Sequence, residues 1–353
     1  MYRGATIRVR PIESVTGAQF LDALARGRPL YDIATLRRYA REDLDVIGEV
    51  RPDFIVGDFR LSLSVSARRA GVPYLAITNA YWSPYARQRF PLPELPVVRW
   101  LGLPAARTLF DVVRPMAFAL HTRPLNRLRR EYGLKTLGTD LRRVYTDADE
   151  TLYADVPEMI PTFDLPANHH YLGPILWSPA VETPPWWSKP GTGRPVVYVT
   201  MGSSGSASLL SDVLDALADL PVAVIAATLG RPLARPAPAN ALTADYLPGR
   251  EASALAKLVV CNGGSPTTHQ ALAAGVPVLG IAGNMDQHLN MAGVVRVGAG
   301  DLLRSDRVTT ASVRDAAARI LDRPGYSESA RAVARIFAGY DAQALFRGLV
   351  GGC

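Results

Sequence analysis

Leu258-Val259-Val260-Cys261-Asn262-Gly263-Gly264-Ser265-Pro266-Thr267-Thr268-His269-Gln270-Ala271-Leu272 decides how this chain is read. A short apolar run meets two glycines. An alanine-rich segment then ends at Gly275-Val276-Pro277-Val278-Leu279. That order predicts a buried strand, a glycine turn, a helix and a second strand. Ser265 reads as the helix N-cap and Pro266 as the first helical residue, where a missing N–H costs nothing. The N–H groups of Thr267 and Thr268 are then expected to point out of the helix end beside two hydroxyls, a setting that suits phosphate. Taken alone, the glycines are equally compatible with an ordinary strand-to-helix turn.

Composition bounds the rest. At 353 residues the chain has room for two domains of ordinary size, and 48% apolar with 20% charged residues describes a globular protein. The net charge of +7 is carried almost wholly by arginine, since Lys135, Lys189 and Lys257 are the lysines. Such a balance favours anionic nucleotides or acidic lipid headgroups. Arg127, Arg129, Arg130, Arg142 and Arg143 read as solvated helix faces, so no nucleic-acid partner is expected. Cys261 and Cys353 form neither a disulfide framework nor a metal-ligand spacing. A reducing cytoplasm fits. No apolar run approaches the roughly 20 residues of a membrane span, and no signal peptide is read, so membrane contact is expected to be at most peripheral.

Two βα-repeating halves are expected. Arg51–Asp58 reads as a strand ending in an acid, Ser64–Ala70 as a helix, and Tyr74–Thr78 as a second strand of a parallel sheet. Helical periodicity runs near 105–132, and further strands read at Glu150–Ala154 and Tyr171–Gly173. The Pro- and Gly-rich stretch Glu182–Gly193 reads as a linker. Beyond it, Pro195–Thr200 starts a new strand that runs into Met201-Gly202-Ser203-Ser204-Gly205. The expected division is 1–180, a linker over 181–193, 194–326, and a C-terminal helix over 327–353 that is a candidate to cross back to the first domain.

The segment Asp245–Gly300 resembles the donor-binding signature of family-1 glycosyltransferases. It holds Tyr246-Leu247-Pro248, the Gly-Gly-x-x-Thr-Thr turn, Gly275-Val276-Pro277 and Asp286-Gln287-x-x-Asn290. The resemblance implies an α/β protein of GT-B architecture, two Rossmann-like doubly wound domains with a cleft between them, the first incomplete here. It implies transfer of a hexose-type sugar from UDP or dTDP to a hydroxyl of an apolar small molecule, with inversion. Neither a metal nor a further cofactor is expected, because a helix N-terminus and hydroxyls can receive the leaving charge.

Carried over by position, Tyr246 is implied to stack on the nucleobase; the plain alternative is a half-buried tyrosine at a strand end. Asn262, Gly264, Ser265, Thr267 and Thr268 would hold the diphosphate, with Gly202 and Ser203 over it from the other side. Gln270 would bind the ribose diol through one donor and one acceptor. Asp286 and Gln287 would read the sugar hydroxyls, although Asp286 alone could equally be a helix N-cap. His269 and His288 are expected on helix surfaces. Asn79, Tyr81 and Trp82, just past a strand end, are candidates to line the acceptor, or else core.

Three departures from the family pattern stand out. Asn262 replaces the usual phosphate-binding His, and an amide carries no positive charge. Pro266 replaces a Gly or Asn. The third concerns the first strand and its Gly-His-x-x-Pro, whose His is the general base: neither is present. Thr6–Pro11 looks like a later strand, so the chain reads as roughly 40 residues short, about one βαβ unit. Asp58 falls where the family keeps the acid that orients that His, and it could also be a simple turn residue. Three readings stay open: translation starting upstream of Met1, a shortened enzyme using Asp58 or His121 as base, or a silent homologue that binds nucleotide sugar or assists another transferase. An epimerase or lipid-linked sugar transferase of the same fold is the other enzyme reading.

Overall fold

The computed structural model describes residues 7–17, 19, 22–23, 26–92, 94, 97–178, 180–188, 193–202 and 208–351. The chain forms two compact units: Pro174–Tyr340, and the preceding residues together with Asp341–Cys353. The division falls after Gly173, so residues 174–180, expected in the first domain, belong with the second unit, as does the expected linker.

The first unit carries a four-stranded parallel sheet in the order β1 (Ile55–Asp58), β2 (Tyr74–Thr78), β3 (Glu150–Tyr153), β4 (His169–Tyr171). Burial on both faces explains the two central strands, where Leu75 of β2 and Leu152 of β3 are almost fully enclosed, while β1 and β4 are only partly covered. Helix Ile33–Val50 is capped by Asp32, whose carboxylate accepts the Thr35 N–H at 2.7 Å, and it packs on helix Leu63–Ala70. The predicted helix over 105–132 spans Val97–Glu131, broken at Gly102, whose φ of 70° no α-helix accommodates. The expected strand at the start is not formed: residues 7–16 have no regular structure, Ile7 and Val9 lie exposed, and Arg10 pairs with Glu49. Alternation alone makes no strand without a neighbour to accept its hydrogen bonds. Thr6 lies outside the described residues.

The second unit carries a six-stranded parallel sheet in the order β10 (Gly300–Arg304), β9 (Val278–Ala282), β8 (Leu258–Cys261), β5 (Val196–Thr200), β6 (Ala223–Ala227), β7 (Ala241–Ala244). The chain winds outward from β5 through β6 to β7, then returns to the other side of β5 with β8 and winds out again. The order therefore reverses between β5 and β8, which pair in parallel from Val197–Leu258 to Thr200–Cys261. One core of Val197, Val199, Val260, Leu279 and Ile281 packs against helices Ser208–Ala218 and Thr310–Asp322.

The C-terminal helical reading divides into two helices. Pro324–Ala338 packs within the second unit against helix Ser265–Ala273, and the chain breaks at Gly339-Tyr340. Helix Ala342–Val350, capped by Asp341, returns to the first unit. There Phe346, Leu349 and Val350 cover Leu75, Leu152 and Leu172, with Phe346 edge-on to Phe54 at 6.2 Å. The terminal helix is thus a structural part of the first sheet. Phe346→Ala should cost the first unit about 2 kcal/mol, below the range for fully buried Phe because this ring is half-buried. A denaturant titration checks this; no change in midpoint would show that the helix docks without stabilising.

Candidate functional site

In open parallel sheets the strand ends at the reversal leave a crevice that loops cannot fill from both sides. Here its walls are the turns after β5 and β8. Gly202 follows β5 with φ of 60°, and a Cβ at that position would lie 2.9 Å from the Asn262 amide nitrogen. The two turns are therefore in contact, and Gly202 is glycine both for its backbone and for lack of space. Asn262 is buried, and its side-chain oxygen accepts the Gly264 N–H at 3.3 Å, so the amide orders its own turn. Gly263, at φ 81°, sits against Met291 and leaves no room for a side chain. Ser203 lies outside the described residues.

The helix opening this turn starts one residue earlier than its serine suggested. Gly264 is the N-cap, Ser265 the first helical residue and Pro266 the second. Proline tolerates either place because no first-turn N–H has a partner within the helix. The Thr268 N–H is not an orphan: it closes the first turn onto the Gly264 carbonyl at 3.2 Å. Among the described residues, the first-turn donors without a partner are the N–H groups of Ser265 and Thr267, with the Ser265 and Thr267 hydroxyls beside them.

Thr268 moves from ligand to brace. Its side chain is fully buried, its hydroxyl donates to the Ser265 carbonyl at 3.1 Å and accepts from Asn290 Nδ2 at 2.9 Å. Asn290 also donates to the Gly263 carbonyl at 2.8 Å, tying the helix Met285–Arg296 to the glycine turn. Gln287 is likewise drawn inward, and its side-chain oxygen accepts the Gly283 N–H at 2.8 Å. That bond occupies one of the two lone pairs of the amide oxygen. The N-cap of that helix is Asn284, which accepts the Gln287 N–H, so Asp286 is not a cap. It stands in the first turn, partly accessible, and a first-turn carboxylate is favoured there by the helix dipole.

Tyr246 is 54% exposed just before Pro248, the N-cap of helix Gly249–Leu255. Gln270 is engaged: its amide donates to the Trp177 carbonyl at 2.7 Å, and its oxygen lies where a Cβ on Gly249 would sit. The bond to Trp177 uses one of the two amide hydrogens, and the other, with the oxygen, is the donor–acceptor pair a diol needs. Sequence reasoning missed Trp177 and Ser178, whose hydroxyl accepts the Gly249 N–H at 3.1 Å. An unexplained tryptophan in the Pro174–Pro179 stretch was the signal available. His269 and His288 are buried rather than on the surface; His269 meets the Phe337 ring at 5.6 Å. Burial pushes the Cys261 thiol up to about 12, so it is inert.

In the first unit, Asp58 ends β1 in register with Ile77 of β2, and Asn79 follows β2, so both stand at the same sheet edge. Asp58 remains open to solvent, and desolvation by the surrounding chain raises its pKa above the ordinary carboxylate value. Among the described residues it has no cation and no hydrogen-bond donor. Asn79 donates to Asp155 at 3.2 Å. Tyr81 and Trp82 take the other reading open to them: both are buried core, with Trp82 packed against Tyr145 at 5.1 Å and Phe90 at 6.3 Å. His121 faces its own helix, Nδ1 lying 2.8 Å from the Ala117 carbonyl.

Two parallel-sheet units, with a glycine turn and helix N-terminus at the order reversal of the second, are the architecture of the GT-B fold. Residues 211–339 match the family described as Erythromycin biosynthesis protein CIII-like, C-terminal domain. A PGL/p-HBAD biosynthesis glycosyltransferase of Mycobacterium tuberculosis is 55% identical over 327 residues, spanning 93% of this chain and 76% of that one. A PGL/p-HBAD biosynthesis rhamnosyltransferase of Mycobacterium bovis is 54% identical, over 94% of this chain and 73% of the other. A third relative, from the same species, is named an inactive PGL/p-HBAD biosynthesis glycosyltransferase and is 55% identical over 59% of this chain and 57% of its own length. Among solved structures, spinosyn rhamnosyltransferase SpnG complexed with thymidine diphosphate superposes with a TM-score of 0.62 at 21% identity, covering 90% of this chain and 80% of that one. The chain belongs to the family-1 glycosyltransferases of GT-B fold, together with these mycobacterial enzymes of PGL/p-HBAD biosynthesis.

Bracing and binding separate by substitution. Thr268→Val strands the Asn290 amide and should lower stability by about 1–3 kcal/mol. Thr267→Val should leave the melting temperature within a degree or two, as expected of a partly exposed first-turn residue. Equal destabilisation by both, in parallel thermal melts, would contradict this assignment.

Proposed function

We propose that the chain transfers a hexose-type sugar from a nucleoside diphosphate carrier, UDP or dTDP, to a hydroxyl of an apolar small molecule, inverting the anomeric centre without a metal. One observation carries the reading: the helix end at the β5–β8 reversal offers the Ser265 and Thr267 donors beside a turn held open by Gly202 and Asn262. The resemblance of the fold to a transferase complexed with thymidine diphosphate supports a nucleotide at such a site. The diphosphate accepts from these N–H groups, and the helix dipole stabilises the charge that develops as the sugar leaves.

In the single displacement, the acceptor oxygen bonds to the anomeric carbon as the bond to the diphosphate breaks, and a base takes the acceptor proton. Asp58 is the candidate base in this chain. An unpaired carboxylate with a raised pKa is a better proton acceptor than an ordinary one. The sign follows: transfer requires Asp58 ionised, so the rate should fall as pH drops through its raised pKa. Asp58→Asn should abolish transfer without loss of stability, because among the described residues the carboxylate makes no ion pair or hydrogen bond for the amide to lose. Transfer by Asp58→Asn at the parent rate would exclude this role.

The donor sugar is assigned to Asp286, partly accessible in its first turn. Asp286→Ala should weaken an NDP-sugar by about tenfold, the loss of one charge-assisted hydrogen bond, and the bare NDP much less. Equal weakening of both in calorimetric titrations would contradict a sugar contact. A second reading, a silent homologue that binds nucleotide sugar, is favoured by Asp58 having no partner among the described residues and by the relative named inactive. Nucleotide binding without turnover across a panel of acceptors would select it. The proposal places the enzyme in the cytoplasm, meeting a nucleotide sugar and an apolar acceptor.

A further inference from the structure

Helix Val97–Glu131 is apolar on two opposite sides. Its inner side is accounted for: Ala106, Leu125 and Leu128 are buried, and Phe110 and Phe118 pack into the first unit. On the other side stand Leu109, Val112, Val113, Met116 and Leu120, all exposed, with Val112 at 72% and Met116 at 69%. At the helical repeat these five fall within a stripe about 100° wide and roughly 16 Å long. Single exposed apolar residues are ordinary, but a surface helix presents polar residues along its outward face. A contiguous stripe marks a face that something covers.

The same outward face continues, after Leu120, into Arg123, Arg127 and Arg130, all exposed. Arg127 lies 3.4 Å from Glu131, which Arg37 also engages. Arg123 and Arg130 pair with no acid among the described residues. An aliphatic stripe running into unpaired guanidinium groups is the pattern of a helix lying in the plane of an acidic membrane surface. The five residues of the stripe include none of the aromatic anchors that concentrate protein–protein binding energy. Among the described residues no helix is long and apolar enough to cross a membrane.

We infer that this face seats in the boundary between headgroups and acyl chains of a bilayer bearing anionic phospholipid. The inference stands apart from the assignment of the donor site, which lies in the other unit. An apolar acceptor that partitions into such a bilayer would then be met where it resides.

Co-sedimentation of the whole chain with vesicles tests it. The chain should pellet with phosphatidylglycerol–phosphatidylcholine vesicles and largely stay in solution with phosphatidylcholine alone. Val112→Asp with Met116→Asp should lower the bound fraction at least about fivefold, through loss of the inserted apolar surface. The milder pair Val112→Ser with Met116→Ser should lower it in the same direction, and unchanged melting temperatures keep the comparison clean. Arg123→Glu with Arg130→Glu should remove the preference for anionic vesicles. Failure of the parent chain to pellet overturns the inference, as does full binding by the Asp or Ser pairs, which would reduce the effect to net charge. Unaltered lipid preference in the Glu pair overturns the assigned headgroup. A dimer in sedimentation velocity that the Asp pair dissociates, with no vesicle binding, would instead make this face a contact between copies.

Discussion

The contact between Gly202 and Asn262 is the constraint on which the second unit's site depends. It joins the turns after the two strands where the sheet reverses order, and it works only because one turn has no side chain. The Asn262 oxygen then fixes Gly264, and Gly264 sets where the helix begins. Which N–H groups face outward follows from that register alone. A start one residue later would free the Thr268 N–H that is now spent on the Gly264 carbonyl.

Behind this contact lies a polar brace rather than an apolar one. Thr268, Asn290 and the Gly263 carbonyl form a closed set of hydrogen bonds in a buried place, with Gln287 holding the next turn by Gly283. Satisfied buried networks specify one geometry, because any alternative leaves a donor without a partner. The glycine turn owes its shape to these residues as much as to its own flexibility. Residues that look like ligands in a signature can therefore be the frame that positions the ligands.

Much of this was legible in the sequence, and the reason is physical. Leu258–Cys261 and Val278–Leu279 are apolar runs too short for helices, so the parallel sheet and its turn could be read directly. Glycines at 202 and 263 marked the close approaches. What could not be read was which polar side chains turn inward. Thr267 and Thr268 are adjacent and chemically alike, yet on a helix they point 100° apart, and the choice rests on the one-residue register of the cap. Tyr81 and Trp82 were equally ambiguous, since an aromatic past a strand end can line a site or fill a core. The ring of Tyr145, packed on Trp82, settles that choice, and it lies far away in sequence.

The most direct test of the central claim follows backbone amides, since the account rests on two of them. Nitrogen-15 spectra of the whole chain titrated with dTDP or UDP should show the largest downfield shifts and new exchange protection at Ser265 and Thr267, with the Thr268 amide little changed. Binding without perturbation of those two amides, or with Thr268 the most affected, would contradict the placement of the diphosphate at this helix end.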